Sequence, residues 1–113
     1  MDKCLFCKII KGEIPSSKVY EDDMVYAFND IDPQAPVHIL IIPKEHIKSA
    51  GEINESNSGT VAHIFEVAAK IAKEQGFDDG FRIVSNCGDC AGQSVKHLHF
   101  HLLSGRDFTW PPG

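Results

Sequence analysis

Residues 97–103 read His-Leu-His-Phe-His-Leu-Leu, and this alternation constrains the chain more than any other stretch. Successive side chains of a strand point to opposite faces, so His97, His99 and His101 share one side while Leu98, Phe100 and Leu102 share the other. Neighbouring imidazoles then stand about 6.5–7 Å apart along the strand. The segment therefore predicts a strand with hydrocarbon packed on one side and three imidazoles on the other.

The rest of the sequence supplies partners for such a strand. The ILII run in residues 38–43 reads as a strand buried on both faces. Residues 19–21 and 25–29 bracket Asp22-Asp23 as a hairpin, and residues 81–86 make a further strand. Val61, Ile64, Phe65, Ala68, Ile71 and Ala72 recur at three and four, which predicts one long helix. Asn57 or Ser58 is its N-cap and Gly76 its C-cap. A short helix over residues 4–11 ends at Gly12, and Pro15 prevents it from resuming. The prolines of the WPPG tail exclude a helix or an inner strand there. This order predicts an α+β domain with an antiparallel sheet, and 113 residues suit a single domain over 1–113.

Eleven Lys and Arg against sixteen Asp and Glu leave a net charge of −5, which disfavours a nucleic-acid polymer as partner but permits a small anion in one pocket. The longest charge-free apolar stretch, residues 33–43, is too short to span a membrane. Lys8 and Lys11 interrupt any apolar core that a secretory leader would need. The four cysteines form two Cys-x-x-Cys pairs, 4/7 and 87/90, which without a leader point to metal or redox chemistry and a cytoplasmic location.

Three chemistries can use a row of imidazoles: a metal centre, nucleophilic attack at phosphorus, or anion binding without turnover. The glutamate and later histidine of a cupin metal site are missing, and Phe100 stands where a metallo-β-lactamase pattern has aspartate. A neutral imidazole is a good nucleophile at pH 7, and its neighbours can donate to phosphoryl oxygens. Just upstream, Gly88, Ala91 and Gly92 permit a turn whose amides point at an anion, and Gln93 and Ser94 add donors. Phosphate is the anion this combination favours.

The segment GQSVKHLHFHLL resembles the signature of the histidine triad (HIT) family. CLFCKIIKGEIPSSKVYEDD, AFNDIDPQAPVHILIIPKEHI and SGRDFTWPPG extend the likeness over nearly the whole chain, toward the adenosine-phosphoramidase (Hint) branch. The resemblance implies a five-stranded antiparallel sheet with one long and one short helix, in a homodimer with two nucleotide sites. It makes His99 the nucleophile at the α-phosphate of an AMP- or GMP-type substrate, through a nucleotidyl-histidine intermediate. His101 then steadies the phosphoryl oxygens, Ser94 helps protonate a leaving amine, and His38 holds the nucleophile's proton and orientation. Asp30 takes the ribose hydroxyls, while Asn86 and Gln93 serve the phosphate or ribose side. Leu5, Phe6, Ile9, Ile14, Phe28, Ile31 and Leu40 match the purine slot. Trp110 and the tail prolines reach the partner's site.

In relatives with the N-terminal cysteine pair, a structural zinc implies Cys4, Cys7, His46 and His97 as ligands here, with no metal needed for the chemistry. Cys87 and Cys90 depart from the branch's glutamate and glycine types; they read as tolerated substitutions, a regulatory disulfide being the alternative. His63 reads as a polar-face residue of the long helix. A dinucleoside polyphosphate hydrolase and a nucleotide-binding scaffold with incidental hydrolysis remain open beside the phosphoramidase.

Overall fold

Strand β2 (Val25–Asn29) and strand β3 (Val37–Pro43) have side chains buried on both faces, and the two faces belong to different cores. Val25, Ala27, Ile39 and Ile41 face one way; Tyr26, Phe28, Leu40 and Ile42 face the other. The computed structural model describes residues 3–113. Around these two strands lie helix α1 (Leu5–Ile10), strand β1 (Lys18–Glu21), helix α2 (Ser58–Gln75), strand β4 (Arg82–Val84) and strand β5 (Phe100–Ser104). The five strands form one sheet in the order β1-β2-β3-β5-β4, and every neighbouring pair is antiparallel. Among the described residues, no helix is long and apolar enough to cross a membrane.

Helix α2 forms where the three-and-four spacing places it, and it lays Ile64, Val67, Ala68, Ile71 and Ala72 into the core on one face of the sheet. Leu98, Phe100 and Leu102 join that same core. Burying side chains of this size stabilises by about 1.5–3 kcal/mol each. Helix α1 adds Phe6 and Ile9 to the smaller cluster on the opposite face. Gly76 closes α2 in the left-handed conformation, with its N–H on the carbonyls of Ala72 and Lys73.

Two strand boundaries differ from the sequence expectation, and one cap position, placed as expected, uses its side chain differently. The ladder of β5 begins at Phe100, because Ile41↔Phe100 is its last pair with β3. Upstream, Leu98 N–H reaches the Ile47 carbonyl instead, although the alternation of faces continues through His97. Strand β4 spans only three residues of the predicted six, since past Val84 the Ser85 hydroxyl turns to the His99 carbonyl. Asn57 precedes α2 but does not cap it with its side chain. Its Oδ1 accepts from Asn54 N–H and its Nδ2 donates to the Glu52 carbonyl, which ties down the preceding turn.

His63 does more than occupy a polar face. Its Nε2 lies 2.6 Å from Asp22 Oδ2, fastening α2 to the β1–β2 turn. Asp22 also accepts from Tyr20 Oη and from the amides of Met24 and Val25. Burial opposes ionisation of Asp22, but the bond from His63 and those amides hold its carboxyl well below the usual range. The bond to Asp22 raises the His63 imidazole above its ordinary value.

The raised histidine gives stability that is full below about pH 6.5 and fades as pH rises through its folded value. The depressed Asp22 gives stability present above about pH 4 and lost in stronger acid. His63→Gln is therefore expected to cost about 1 kcal/mol at pH 5.5, roughly 4 °C in Tm, and clearly less at pH 9. Thermal melts at the two pH values check this, and equal losses would contradict it.

Candidate functional site

The imidazole face of β5 looks toward α1. Phe6 packs edge-on against His97 and His99, with ring centroids 5.9 and 5.1 Å away. Beside it opens a cleft of about 320 Å³ lined by Leu5, Phe6, Ile9, Ile14, Pro15, Phe28, Asp30, Ile31, Leu40, Ser94, Val95, His99 and His101. The seven apolar slot residues, Asp30, Ser94 and two of the three triad histidines thus share one wall. Most of the lining is hydrocarbon, with a carboxylate, a hydroxyl and two imidazoles among it.

Backbone groups settle which nitrogen of each ring carries the proton. His99 Nδ1 lies 2.7 Å from the His97 carbonyl, which can only accept, so Nδ1 holds the hydrogen and Nε2 the lone pair. Gln34 N–H donates to His38 Nδ1 over 3.0 Å, so neutral His38 carries its proton on Nε2. That proton points at His101 Nδ1, 2.8 Å away, and leaves His101 with a donor at its own Nε2. Asp30 Oδ2 stands 3.4 Å from His38 Nε2. Burial lowers His38 and His99 below the ordinary imidazole value. Burial, with His99 and His38 nearby, lowers His101 to about 4. The three rings are neutral at pH 7, one presenting a lone pair and another an N–H.

Three expected assignments fall elsewhere. His38 bears on His101, and the group on His99 Nδ1 is the His97 carbonyl. Gln93 is buried behind the loop, where Nε2 donates to the Lys48 and Val95 carbonyls and Oε1 accepts from Gly88 N–H. Its side chain braces the turn that carries Ser94. Asn86 is partly buried and, like Gln93, stands outside the cleft wall. The groups that sequence reading missed are mostly main-chain ones, the Gln34 amide and the His97 and Pro43 carbonyls, which no residue type advertises. Pro15 and Val95 complete the apolar wall.

His97 faces a second cluster. Its Nε2 donates to the Pro43 carbonyl at 2.8 Å, so its Nδ1 lone pair points at Cys4 Sγ (3.4 Å), Cys7 Sγ (3.6 Å) and His46 Nδ1 (3.1 Å). Cys7 Sγ is 3.4 Å from His46 Nδ1, and all four donor atoms lie within 4.8 Å of one another. Tetrahedral zinc, with arms of about 2.3 Å to sulfur and about 2.05 Å to nitrogen, sets S···N edges near ~3.6 Å and N···N near ~3.3 Å. The cluster fits that ion closely. Burial and the neighbouring Cys4 push the Cys7 thiol up to about 11, a cost that a divalent cation between the sulfurs offsets. Two thiolates and two neutral imidazoles close the coordination sphere, the arrangement of a structural site.

Known proteins share this design. A 14 kDa zinc-binding protein of Zea mays is 50% identical over 111 residues, covering 96% of this chain and 87% of its own. The crystal structure of a HIT family hydrolase from Legionella pneumophila superposes with a TM-score of 0.95 at 50% identity, over 98% of this chain and all of that one. A histidine triad protein from Clostridium difficile gives a TM-score of 0.92 at 56% identity, over 96% and 95% of the two chains. The family described as "Scavenger mRNA decapping enzyme C-term binding" matches residues 3–109. With sheet order, imidazole row and near full-length similarity in agreement, the chain belongs to the histidine triad family.

Proposed function

We propose that the chain is a nucleotidyl hydrolase that releases a purine nucleoside monophosphate from 5′-phosphoramidates, substrates in which the phosphate is joined to an amine. The observation that carries this reading is the 2.7 Å contact between His99 Nδ1 and the His97 carbonyl. A ring pinned in that tautomer offers Nε2 as a nucleophile without first losing a proton. In the reading, Nε2 attacks the α-phosphorus, a P–N bond to His99 forms, and the bond to the leaving amine breaks. Ser94 stands in the cleft wall where it can pass a proton to that amine. His101 Nε2–H donates to a phosphoryl oxygen as charge grows, held in that role by the chain of bonds through His38 to the Gln34 amide. Water then attacks the phosphoryl-imidazole and frees His99.

The apolar lining of the cleft suits a purine, whose two faces Leu5, Phe6, Ile9, Phe28, Ile31 and Leu40 can cover. Asp30 has acceptor sites enough for both hydroxyls of a ribose. A homodimer belongs to the same reading, with the exposed Trp110 reaching toward the partner's cleft. The Zea mays relative's name and the Legionella structure's description as a hydrolase support zinc at Cys4, Cys7, His46 and His97 and a hydrolytic activity. When bound, zinc supplies structure alone: it ties α1 to the segment leading into β5.

His99→Ala is expected to cut AMP release from an adenosine 5′-phosphoramidate by roughly 10³-fold or more while AMP still binds. Chromatographic turnover assays and calorimetry check both halves, and wild-type turnover by the variant would end the nucleophile assignment. Cys7→Ala is expected to take bound zinc from one ion per chain to none and to lower Tm by roughly 10 °C. Elemental analysis with melting curves tests this; retained zinc and an unchanged Tm would remove the site.

A further inference from the structure

The second cysteine pair lies outside both clusters. Cys87 and Cys90 are free and exposed, on the loop that runs from β4 to Ser94. Cys87 Sγ is 3.5 Å from the hydroxyl of Ser49, a residue only 8% exposed. No other side-chain bond engages that hydroxyl among the described residues, so it is free to reverse and donate to a thiolate. Gly51 makes the room: a Cβ there would stand 3.3 Å from Cys87 Sγ and 3.5 Å from Ser49 Oγ. A hydroxyl and a missing side chain therefore converge on one exposed sulfur.

We propose that Cys87 is a redox-modification site, a thiolate cradle that reacts with hydroperoxides, with Cys90 as the resolving thiol. Four charged side chains line the hollow or close its rim: Lys48, Glu52, Asp89 and Lys96. The Ser49 hydroxyl and then the Gly51 amide lower the Cys87 thiol below its ordinary value, and Lys96 helps; burial and Glu52 oppose them. The thiolate attacks one peroxide oxygen, the O–O bond breaks, and the departing oxygen takes a proton and leaves as water or alcohol. The sulfur, oxidised by two electrons, becomes a sulfenic acid. Cys90, as thiolate, then attacks that sulfur; an S–S bond forms and hydroxide leaves, protonated to water. Gly88, at φ 88°, sits between the cysteines as the pivot on which the loop can close. The product would tighten the loop that Gln93 braces and that ends at Ser94 in the cleft wall.

The test treats the reduced, zinc-loaded full chain with hydrogen peroxide and maps the tryptic peptide spanning residues 83–96. The expected product is a peptide lighter by two hydrogens, restored by dithiothreitol and formed before Cys4 or Cys7 is touched. In Cys90→Ser the reaction is expected to stop at a sulfenic acid that dimedone tags on Cys87. Ser49→Ala and Gly51→Ala, neither of them a zinc ligand, are expected to slow iodoacetamide labelling of Cys87 by about tenfold while leaving Cys90 unchanged. The proposal is overturned if Cys87 and Cys90 label at equal rates in the wild type. Oxidation that begins at Cys4 or Cys7, or a Cys90→Ser chain without a tag at Cys87, overturns it as well. None of these readouts uses turnover, so they stand apart from the hydrolase reading.

Discussion

The site depends on hydrocarbon that never touches it. Leu98, Phe100 and Leu102 lie in the core beneath α2, and their burial fixes which way each residue of this segment faces. A shift of one residue would drive three imidazoles into that core and turn two leucines and a phenylalanine toward the cleft. The penalty is several kcal/mol on either side, larger than any single polar contact in the site. Strand β5 is held between β3 and β4, so the row is placed by the sheet and by the core together.

Once the face is set, main-chain groups divide the labour among chemically identical rings. His97 gives Nε2–H to Pro43 and turns Nδ1 toward the cysteines; His99 gives Nδ1–H to His97 and keeps Nε2 free. One residue thus joins the two clusters, by its ring to the metal-type site and by its carbonyl to His99. Order in the first cluster is inherited by the second through a single peptide unit.

Much of this was legible in the sequence because it rests on periodicity. The alternation at 97–103, the ILII run and the three-and-four pattern of α2 each state which face is buried, and the two cores follow them. The slot residues, Asp30, Ser94 and the Cys4, Cys7, His46, His97 group came with the family resemblance, and the fold gathers them. What escaped depends on contacts between distant residues. The His63–Asp22 bond joins residues 41 apart in sequence, and the His38–His101 bond joins residues 63 apart. Gln93 looked like a donor for phosphate because a side-chain amide is one; only the fold shows it occupied by Lys48, Val95 and Gly88. The β3–β5 ladder likewise ends at Ile41↔Phe100 although β3 runs on to Pro43 against β2, a parting of strands that the alternation of side chains does not encode.

Ile31 lines the cleft yet stands wholly in water. Folding has left this hydrocarbon unburied, so any flat aromatic guest that settles against it finishes a contact the chain did not make for itself. Covering such a side chain is worth up to about 1.5–3 kcal/mol, roughly one to two decades in affinity. The attraction is blind to hydrogen-bonding pattern. Discrimination between one heterocycle and another must therefore arise elsewhere than in the hydrophobic grip.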